Sequence, residues 1–479
     1  MYNDFESTAY QKAGDYNLSA FINLIPYNYD SDGSDIKRLD IFNIVQEINI
    51  FESLNSDVIT GNMVVVDATN TFGDVPIAGF ERLEFKITTP GLSRVYDFSV
   101  KTGNPVFVYK VSNREELNQS TQAYVLEFCS IERIKNESRL FSKSYHDSHE
   151  AIVRDILRNQ LKSKKTFIFE PSKSLHKHVF PFVKPFSAID YLADDTQSRA
   201  HNGAGYKFYE TSTGFHFRSY ESMTNTISGV PRPVVASYSL KRKGVRGGGD
   251  RNLVSDLQSI NSFRIVRQSD TIENFDLGVY ASEMFTHNQF TKEFNTKTFN
   301  YLNNRAFVSQ METDNRGQVQ IGQGIVPNMR FEDNKTPADM IGRRFFKSNT
   351  SKLHNNATTP PKESIEQKRI SKDGALRTYV LEITIPGFFG INAGDVVDVE
   401  IPAYDNKNAG AVDPISGRFL VHECRHLINK GKAVHTTHLR LHKDSFKRIL
   451  DDETFDTFTE QRSAKDDNDY SIADLDAGL

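Results

Sequence analysis

INIFESLNSDVITGNMVVVDATNTFGDVPIAGFERLEFKI, residues 48–87, decides how the rest of the chain is read. Ile48 and Ile50 alternate with Glu47 and Asn49, the period-two pattern of a half-buried strand. Met63 to Val66 form a short apolar run closed by Asp67, the pattern of a strand buried on both faces. Leu83, Phe85 and Ile87 then alternate with Arg82, Glu84 and Lys86. Asn62 after Gly61, Asn70, Gly73-Asp74, and Pro76 ahead of Gly79 supply turn chemistry between them. The stretch predicts three successive strands of one antiparallel barrel or sandwich, with no catalytic motif inside it.

The 479-residue chain is long enough for two to four domains of about 100–200 residues each. A composition of 38% hydrophobic and 25% charged residues lies in the ordinary range for a soluble globular protein. The net charge of −4 argues for neither a nucleic-acid nor a membrane partner, but it is unevenly spread. From Asp451 onward ten acidic residues face only Arg462 and Lys465, so this tail carries −8 and the body +4. The two cysteines, Cys129 and Cys424, each fall in an expected strand and read as buried thiols of a protein assembled in a reducing cytoplasm. The start, MYNDFESTAYQKAGDYN, has neither the basic region nor the apolar core of a signal peptide. No run approaches the roughly 18 apolar residues of a membrane span. Tryptophan is absent while 35 Phe and 19 Tyr carry the aromatic load, a mix that suits sheets.

Outward from the opening stretch, residues 1–17 read as a polar arm, and a first strand is expected at 21–26. Asp30-Ser31-Asp32-Gly33 marks a turn. Further strands at 96–101, 106–111 and 124–130 complete a β-unit over 18–134. The pattern then becomes helical. Asp147 and Glu150 have capping-box spacing, and Ile152, Val153, Ile156, Leu157 and Leu161 recur at helical period. Ser187 and Asp190 repeat the box after Pro185, with Phe186, Ile189, Leu192 and Ala193 as the apolar face. With short strands at 167–170 and 179–182, this is a small α/β domain over 135–205. A hairpin follows around Ser212-Thr213-Gly214. The glycine-rich basic loop KRKGVRGGGDRN comes next, then a hairpin formed by 279–285 and 294–301. Residues 309–368, with Gly322-Gln323-Gly324, Asn355-Asn356 and Pro360-Pro361, read as a long irregular connection. Alternation returns at Tyr379, Leu381, Ile383 and Ile385, and at Val397, Val399 and Ile401. Residues 419–428 and 436–441 read as an antiparallel pair. The acidic tail, 447–479, lacks a core pattern and is expected to be disordered or to fold on a partner.

Candidate chemistry is thin. His422, Cys424 and His426 share one face of an expected strand, and His438 and His442 one face of the next. Cross-strand neighbours of this kind could bind zinc; set against that, no HExxH or CxxC spacing is present, and surface histidines are the plainer reading. A metal-dependent hydrolase would rest on His422, His426 and His438. His176 and His178 have no third ligand nearby in sequence and rank lower. The loop from Lys241 to Gly249 lacks the Gly-Lys-Ser/Thr of a phosphate loop and the βαβ context of a dinucleotide site, so it reads as a solvated loop. No carboxylate pair stands out among 62 acidic residues, and no G-x-S-x-G is present. The run Pro181-Phe182-Val183-Lys184-Pro185-Phe186 reads as the delivery of a helix to a core rather than as a ligand for a proline-binding module. No catalytic, cofactor-binding or metal residue is therefore assigned, and no cofactor is expected.

The order of several motifs resembles the baseplate hub proteins of contractile phage tails, of the T-even type. They are IxIFESL, GNMVVVD and PIAGFE in the opening stretch, EFCSIERIKNESRLFSKSY at 127–145 and PFSAIDYLA at 185–193. YKFYETSTGFHFRS at 206–219, GDVVDVEIP at 394–402, GRFLV at 417–421 and Lys443-Asp444-Ser445 complete the set. The N-terminal arm, the glycine-rich loop, residues 309–368 and the acidic tail depart from the pattern. The resemblance implies a mainly β fold with α+β insertions and two tail-tube-like antiparallel barrel or sandwich domains. These would be 18–134, and 206–240 joined to 370–446, with 241–369 inserted. It further implies a non-enzymatic homotrimer whose six β-domains form a pseudo-six-fold ring. That ring would join the six-fold tail tube to the three-fold central spike and form part of the DNA channel. The implied partners are a separate spike protein, the tube or tube-initiator protein, other baseplate proteins and the tape measure. DNA would pass through the lumen without specific binding, and the protein would reside in the virion tail after assembly in the host cytoplasm. The hub of a contractile injection system is the nearest alternative.

Overall fold

The computed structural model describes residues 13–23, 38–69, 77, 79–89, 95–173, 175–201, 203–225, 231–240, 256–304, 311–312, 331, 333–348, 362–403 and 412–445. Residues 1–12 of the arm, the turn at 30–33, the loop from Lys241 to Gly249, the Gly322 and Asn355 segments and the acidic tail lie outside them.

Eight strands form the amino-terminal unit. They are β1 (Asn17–Asn23), β2 (Arg38–Asp40), β3 (Val45–Ser53), β4 (Thr60–Asp67), β5 (Arg82–Thr88), β6 (Val95–Asp97), β7 (Val106–Asn118) and β8 (Thr121–Ser130). The opening stretch supplies β3, β4 and β5, but only β3 and β4 are neighbours. The order is β3-β4-β8-β7-β5-β1-β2, so the later hairpin β7–β8 inserts between β4 and β5. Nor is β4 buried on both faces: Met63 and Val65 are buried, whereas Val64 and Val66 are only half-buried. In β5 part of the polar face is covered as well. Arg82 lies beneath the surface 3.3 Å from Glu84, which accepts a hydrogen bond from Asn23 on β1.

The small α/β region contains α1 (Ile131–Glu137), β9 (Phe141–Asp147), α2 (His149–Asp155), β10 (Phe167–Phe169), β11 (His176–Val183) and α3 (Pro185–Asp194). The apolar faces expected for α2 and α3 are buried together. Neither expected capping box forms. Ser148 is the N-cap of α2, the Asp147 carboxylate accepts from the Ser148 N–H, and Glu150 turns away to Ser172. Pro185 itself opens α3, which puts Ser187 inside the helix. The hairpin β12 (Tyr206–Thr211) and β13 (Gly214–Ser219) was expected in the second tube-like domain. Its bonds run instead to β10, and Tyr206, Phe208, Phe215 and Phe217 pack into the α2–α3 core. The short helix α4 (Tyr220–Thr224) follows.

The remaining elements are β14 (Ala236–Ser239), β15 (Ser262–Gln268), α5 (Thr271–Leu277), β16 (Ala281–His287), β17 (Phe294–Asn300), β18 (Arg343–Ser348), α6 (Lys362–Leu376), β19 (Tyr379–Pro386), β20 (Val396–Glu400), β21 (Gly417–Asn429) and β22 (Val434–Lys443). The supposedly irregular stretch 309–368 contains β18, parallel to β16, and the first residues of α6. The helix escapes a hydrophobic-period reading because its buried face includes Gln367, Ser371 and Lys372. Strand β15, assigned by sequence to the insertion, pairs with β19 in the main sheet. That sheet has fourteen strands, running β15-β19-β22-β21-β3-β4-β8-β7-β5-β1-β2 with β6, β14 and β20 off the path. The fold is mainly β, as expected.

Candidate functional site

One edge contact joins the two ends of the chain. β21 pairs with β3 from Glu423↔Ser53 to Asn429↔Glu47, which makes one continuous sheet of two units. Their strand orders correspond. The amino-terminal unit runs β3-β4-β8-β7-β5-β1, the carboxy-terminal unit β15-β19-β22-β21-β20-β14. Each is built on a long hairpin with strands of 13 and 10 residues. At the same point in each hairpin a valine exchanges two backbone bonds with the neighbouring strand end. Val108 N–H donates to Glu81 O and Val108 O accepts from Phe80; Val421 does the same with Asp395 and Gly394. Phe80 and Gly394 both have positive φ, 70° and 89°. A register shift follows immediately in both strands, between Val108 and Lys110 and between Val421 and Glu423. The last pair differs: β5–β1 is antiparallel, β20–β14 parallel.

Beyond the shift the units diverge. The outer edge of β21 is covered by β3. The matching part of β7, from Tyr109 onward, has no strand on it among the described residues, and Tyr109, Val111 and Leu117 are 49%, 39% and 56% exposed. β15, the counterpart of β3, pairs only with β19 among the described residues, leaving Ile265 and Val266 38% and 39% exposed. An unpaired edge, here with these apolar side chains set among Lys110, Arg114, Glu115, Glu116, Arg264 and Arg267, is a template for another strand.

Buried polar groups hold the seam. Glu52 accepts from the Tyr96 hydroxyl, from Ser212 N–H at 2.9 Å and from Ala393 N–H at 3.2 Å, so one carboxylate touches both units and the β12–β13 hairpin. Burial pushes its pKa up to about 7. Each long hairpin also ends in a buried ionic knot. After β8, Lys165 lies between Glu132 and Glu210, and Glu210 also accepts from Ile59 N–H. Burial alone would discharge this lysine, but the two carboxylates outweigh it and raise its pKa. After β22, Lys372 meets Asp444 at 2.8 Å, Lys443 meets Glu312 at 2.7 Å, and Ser445 accepts from Glu312 N–H.

The suspected zinc cluster does not assemble. His422 sits at the register shift and stacks on His442, with ring centroids 4.1 Å apart. The bulge reverses the alternation, so Cys424 and His426 face the other way, beside His435 and Thr437. His438 bonds instead to Thr384. His422, His426 and His438 therefore do not converge, and the hydrolase built on them has no site. Both cysteines are free and buried. The sequence reading missed His149, which joins His176 and His178; no spacing rule reports a contact made by a helix start and a strand 27 residues later.

No family model matches the chain. The sequence is 22% identical over 429 residues to the "Probable baseplate hub protein gp334" of Vibrio phage KVP40, covering 85% of this chain and 91% of that one. This chain resembles a phage baseplate hub protein. A tail protein from Neisseria meningitidis MC58 shares the fold over 89% of this chain and 97% of its own, with a TM-score of 0.51 and 12% identity. A 43 kDa tail protein of prophage MuSo2 from Shewanella oneidensis aligns over 89% and 98%, at 0.48 and 10%. The motifs that carry the hub resemblance sit at working positions. Residues 127–145 contain the end of β8, α1 and the start of β9, including Glu132 of the first knot. Lys443-Asp444-Ser445 is the second knot itself.

Proposed function

We propose that this chain is the hub of a phage tail baseplate. Three copies form a homotrimer, and its six β-units make a pseudo-six-fold ring between the six-fold tail tube and the three-fold central spike. The observation that carries the reading is the pair of half-edges: β3 covers β21 within the chain, while among the described residues β7 and β15 carry no strand at the corresponding positions. A three-fold rotation that brings β15 of one copy onto β7 of the next repeats the intramolecular contact at the subunit boundary, and the ring closes. The likeness to the hub protein of KVP40 supports the same assignment.

In this reading the amino-terminal unit spans 18–134, and the carboxy-terminal unit gathers β14, β15 and β19–β22. The ring surrounds part of the DNA channel, and a lumen poor in basic residues lets the duplex pass without holding it. The protein works as a structural adaptor without catalysis. Its partners are a spike protein, the tube or its initiator, other baseplate proteins and the tape measure. It belongs to the virion tail and is assembled in the host cytoplasm.

Native mass spectrometry, alone and with the tube and spike proteins, tests this directly. The wild-type chain is expected as a trimer, and Ile265→Asp with Val266→Asp as a folded monomer. A wild-type monomer under every condition, with no affinity for tube or spike, would end the proposal.

A further inference from the structure

The cluster of His149, His176 and His178 has no place in an assembly edge. His149 opens α2, while His176 and His178 lie two residues apart on β11 and so share a face. Among the described residues these three bring one ligand nitrogen each within 4.8 Å of one another. Their rings are grouped, with His149 stacked on His176 at 3.7 Å between centroids and 5.0 Å from His178. His149 and His176 are 0% and 2% exposed.

We propose that His149, His176 and His178 form a binding site for a divalent transition-metal ion of the zinc type. The hydrogen bonds around the cluster set the tautomers that such a site needs. The Thr196 hydroxyl donates to Leu192 O at 2.5 Å, so its oxygen accepts from His149 Nδ1–H at 2.7 Å. That leaves His149 Nε2 as the acceptor nitrogen, and in the metal-free protein it takes a hydrogen bond from His178 Nε2–H at 2.9 Å. His176 Nε2–H donates to Lys173 O at 3.1 Å, which leaves Nδ1 as the acceptor nitrogen. This buried Nδ1 has no hydrogen-bond partner. Two buried rings thus hold one N–H each against an outer acceptor and keep the other nitrogen for a ligand, the arrangement found around metal-bound histidines.

Zinc–nitrogen bonds of about 2.0–2.1 Å in a tetrahedron place the nitrogens roughly 3.3 Å apart. One pair is already closer than that, and all three ligand nitrogens lie within 4.8 Å of one another. His178 contributes by taking the Nδ1–H tautomer, with no net loss of a proton. Three imidazoles without a carboxylate select zinc, cobalt, nickel or copper over magnesium or calcium. Three protein ligands leave a fourth position to water. The ion would fasten the β9–β11 sheet to the α2–α3 helix pair.

The full-length protein is stripped with chelator, dialysed against zinc and analysed for metal. Cobalt is then substituted, because its visible d–d absorption reports direct coordination. Close to one ion per chain is expected. His178→Ala, at the half-exposed member, should abolish the cobalt band with unchanged circular dichroism. Thr196→Val should weaken affinity roughly 10–100-fold by releasing the His149 tautomer. Folded wild-type protein that takes up neither metal at micromolar concentration overturns the site, as does His178→Ala binding cobalt as strongly as wild type.

Discussion

The two β-units of this chain follow one strand order and finish it differently. In the carboxy-terminal unit the long strand β21 turns at a bulge and is met at once by β3 of the same chain. In the amino-terminal unit β7 turns at the matching bulge and presents its edge with exposed Tyr109 and Val111. The covered half-edge buries His426 and Ile428, both at 1% exposure or less, whereas the bare one remains largely exposed. The difference teaches that a single contact geometry can be spent once inside a chain and left available once at its boundary. The proposed ring would use that arrangement, with the open half-edge of one copy meeting the next.

The ionic knots provide the most severe way to break the comparison. Lys165→Met leaves Glu132 and Glu210 buried without their lysine, and Lys372→Met removes the direct ion-pair partner of Asp444, which keeps only the field of neighbouring Lys443. Each is expected to cost about 3–5 kcal/mol in chemical denaturation, because removing one partner of a buried pair strands the other. If only one substitution is severe, the knots at the ends of β8 and β22 are not equivalent.

Glu52 offers a subtler handle on the seam. Its folded pKa of about 7 is raised above the ordinary value of 4.5. The protonated form therefore contributes stability that is fully present below pH 4.5 and lost as pH rises through 7. The stability of wild type relative to Glu52→Gln should therefore fall between pH 5 and pH 8, a comparison in which the buried histidines, whose lowered pKa values act in the opposite direction, are common to both proteins. A stability difference that instead moves in favour of wild type over this interval would mean the seam prefers the ionised carboxylate.

The smallest effect on folding sharpens the comparison most. Val111→Asp lies on the bare half-edge and should change monomer stability by about 0.5 kcal/mol or less, as ordinary surface substitutions do. It should nevertheless reduce the trimer fraction in sedimentation. His426→Asp, at the covered counterpart, should unfold the seam itself. Equal effects of the two substitutions would remove the distinction between covered and open edges.

Much of the fold was legible because alternation writes itself into sequence wherever one face is buried. Tyr379, Leu381, Ile383 and Ile385 announce β19, and Ile152, Val153 and Ile156 announce α2 and the helical turn that continues it. The helix α6 stayed hidden because Gln367, Ser371 and Lys372 are buried through hydrogen bonds and an ion pair rather than by apolar contact. The zinc suspicion at His422, His426 and His438 failed because one bulge residue reverses which face a side chain takes. His149 was invisible beside His176 and His178 because the three meet only through packing.

By itself the sequence determined the periodicity of the strands, the sheet-rich class and the ordered motifs that resemble hub proteins, since these depend on neighbours along the chain. Tertiary structure alone decided that β7 and β8 part β4 from β5, that β21 seals against β3, and which histidines face one another. Those outcomes depend on pairing between residues up to several hundred positions apart, and the free energy that selects them appears only when the edges meet.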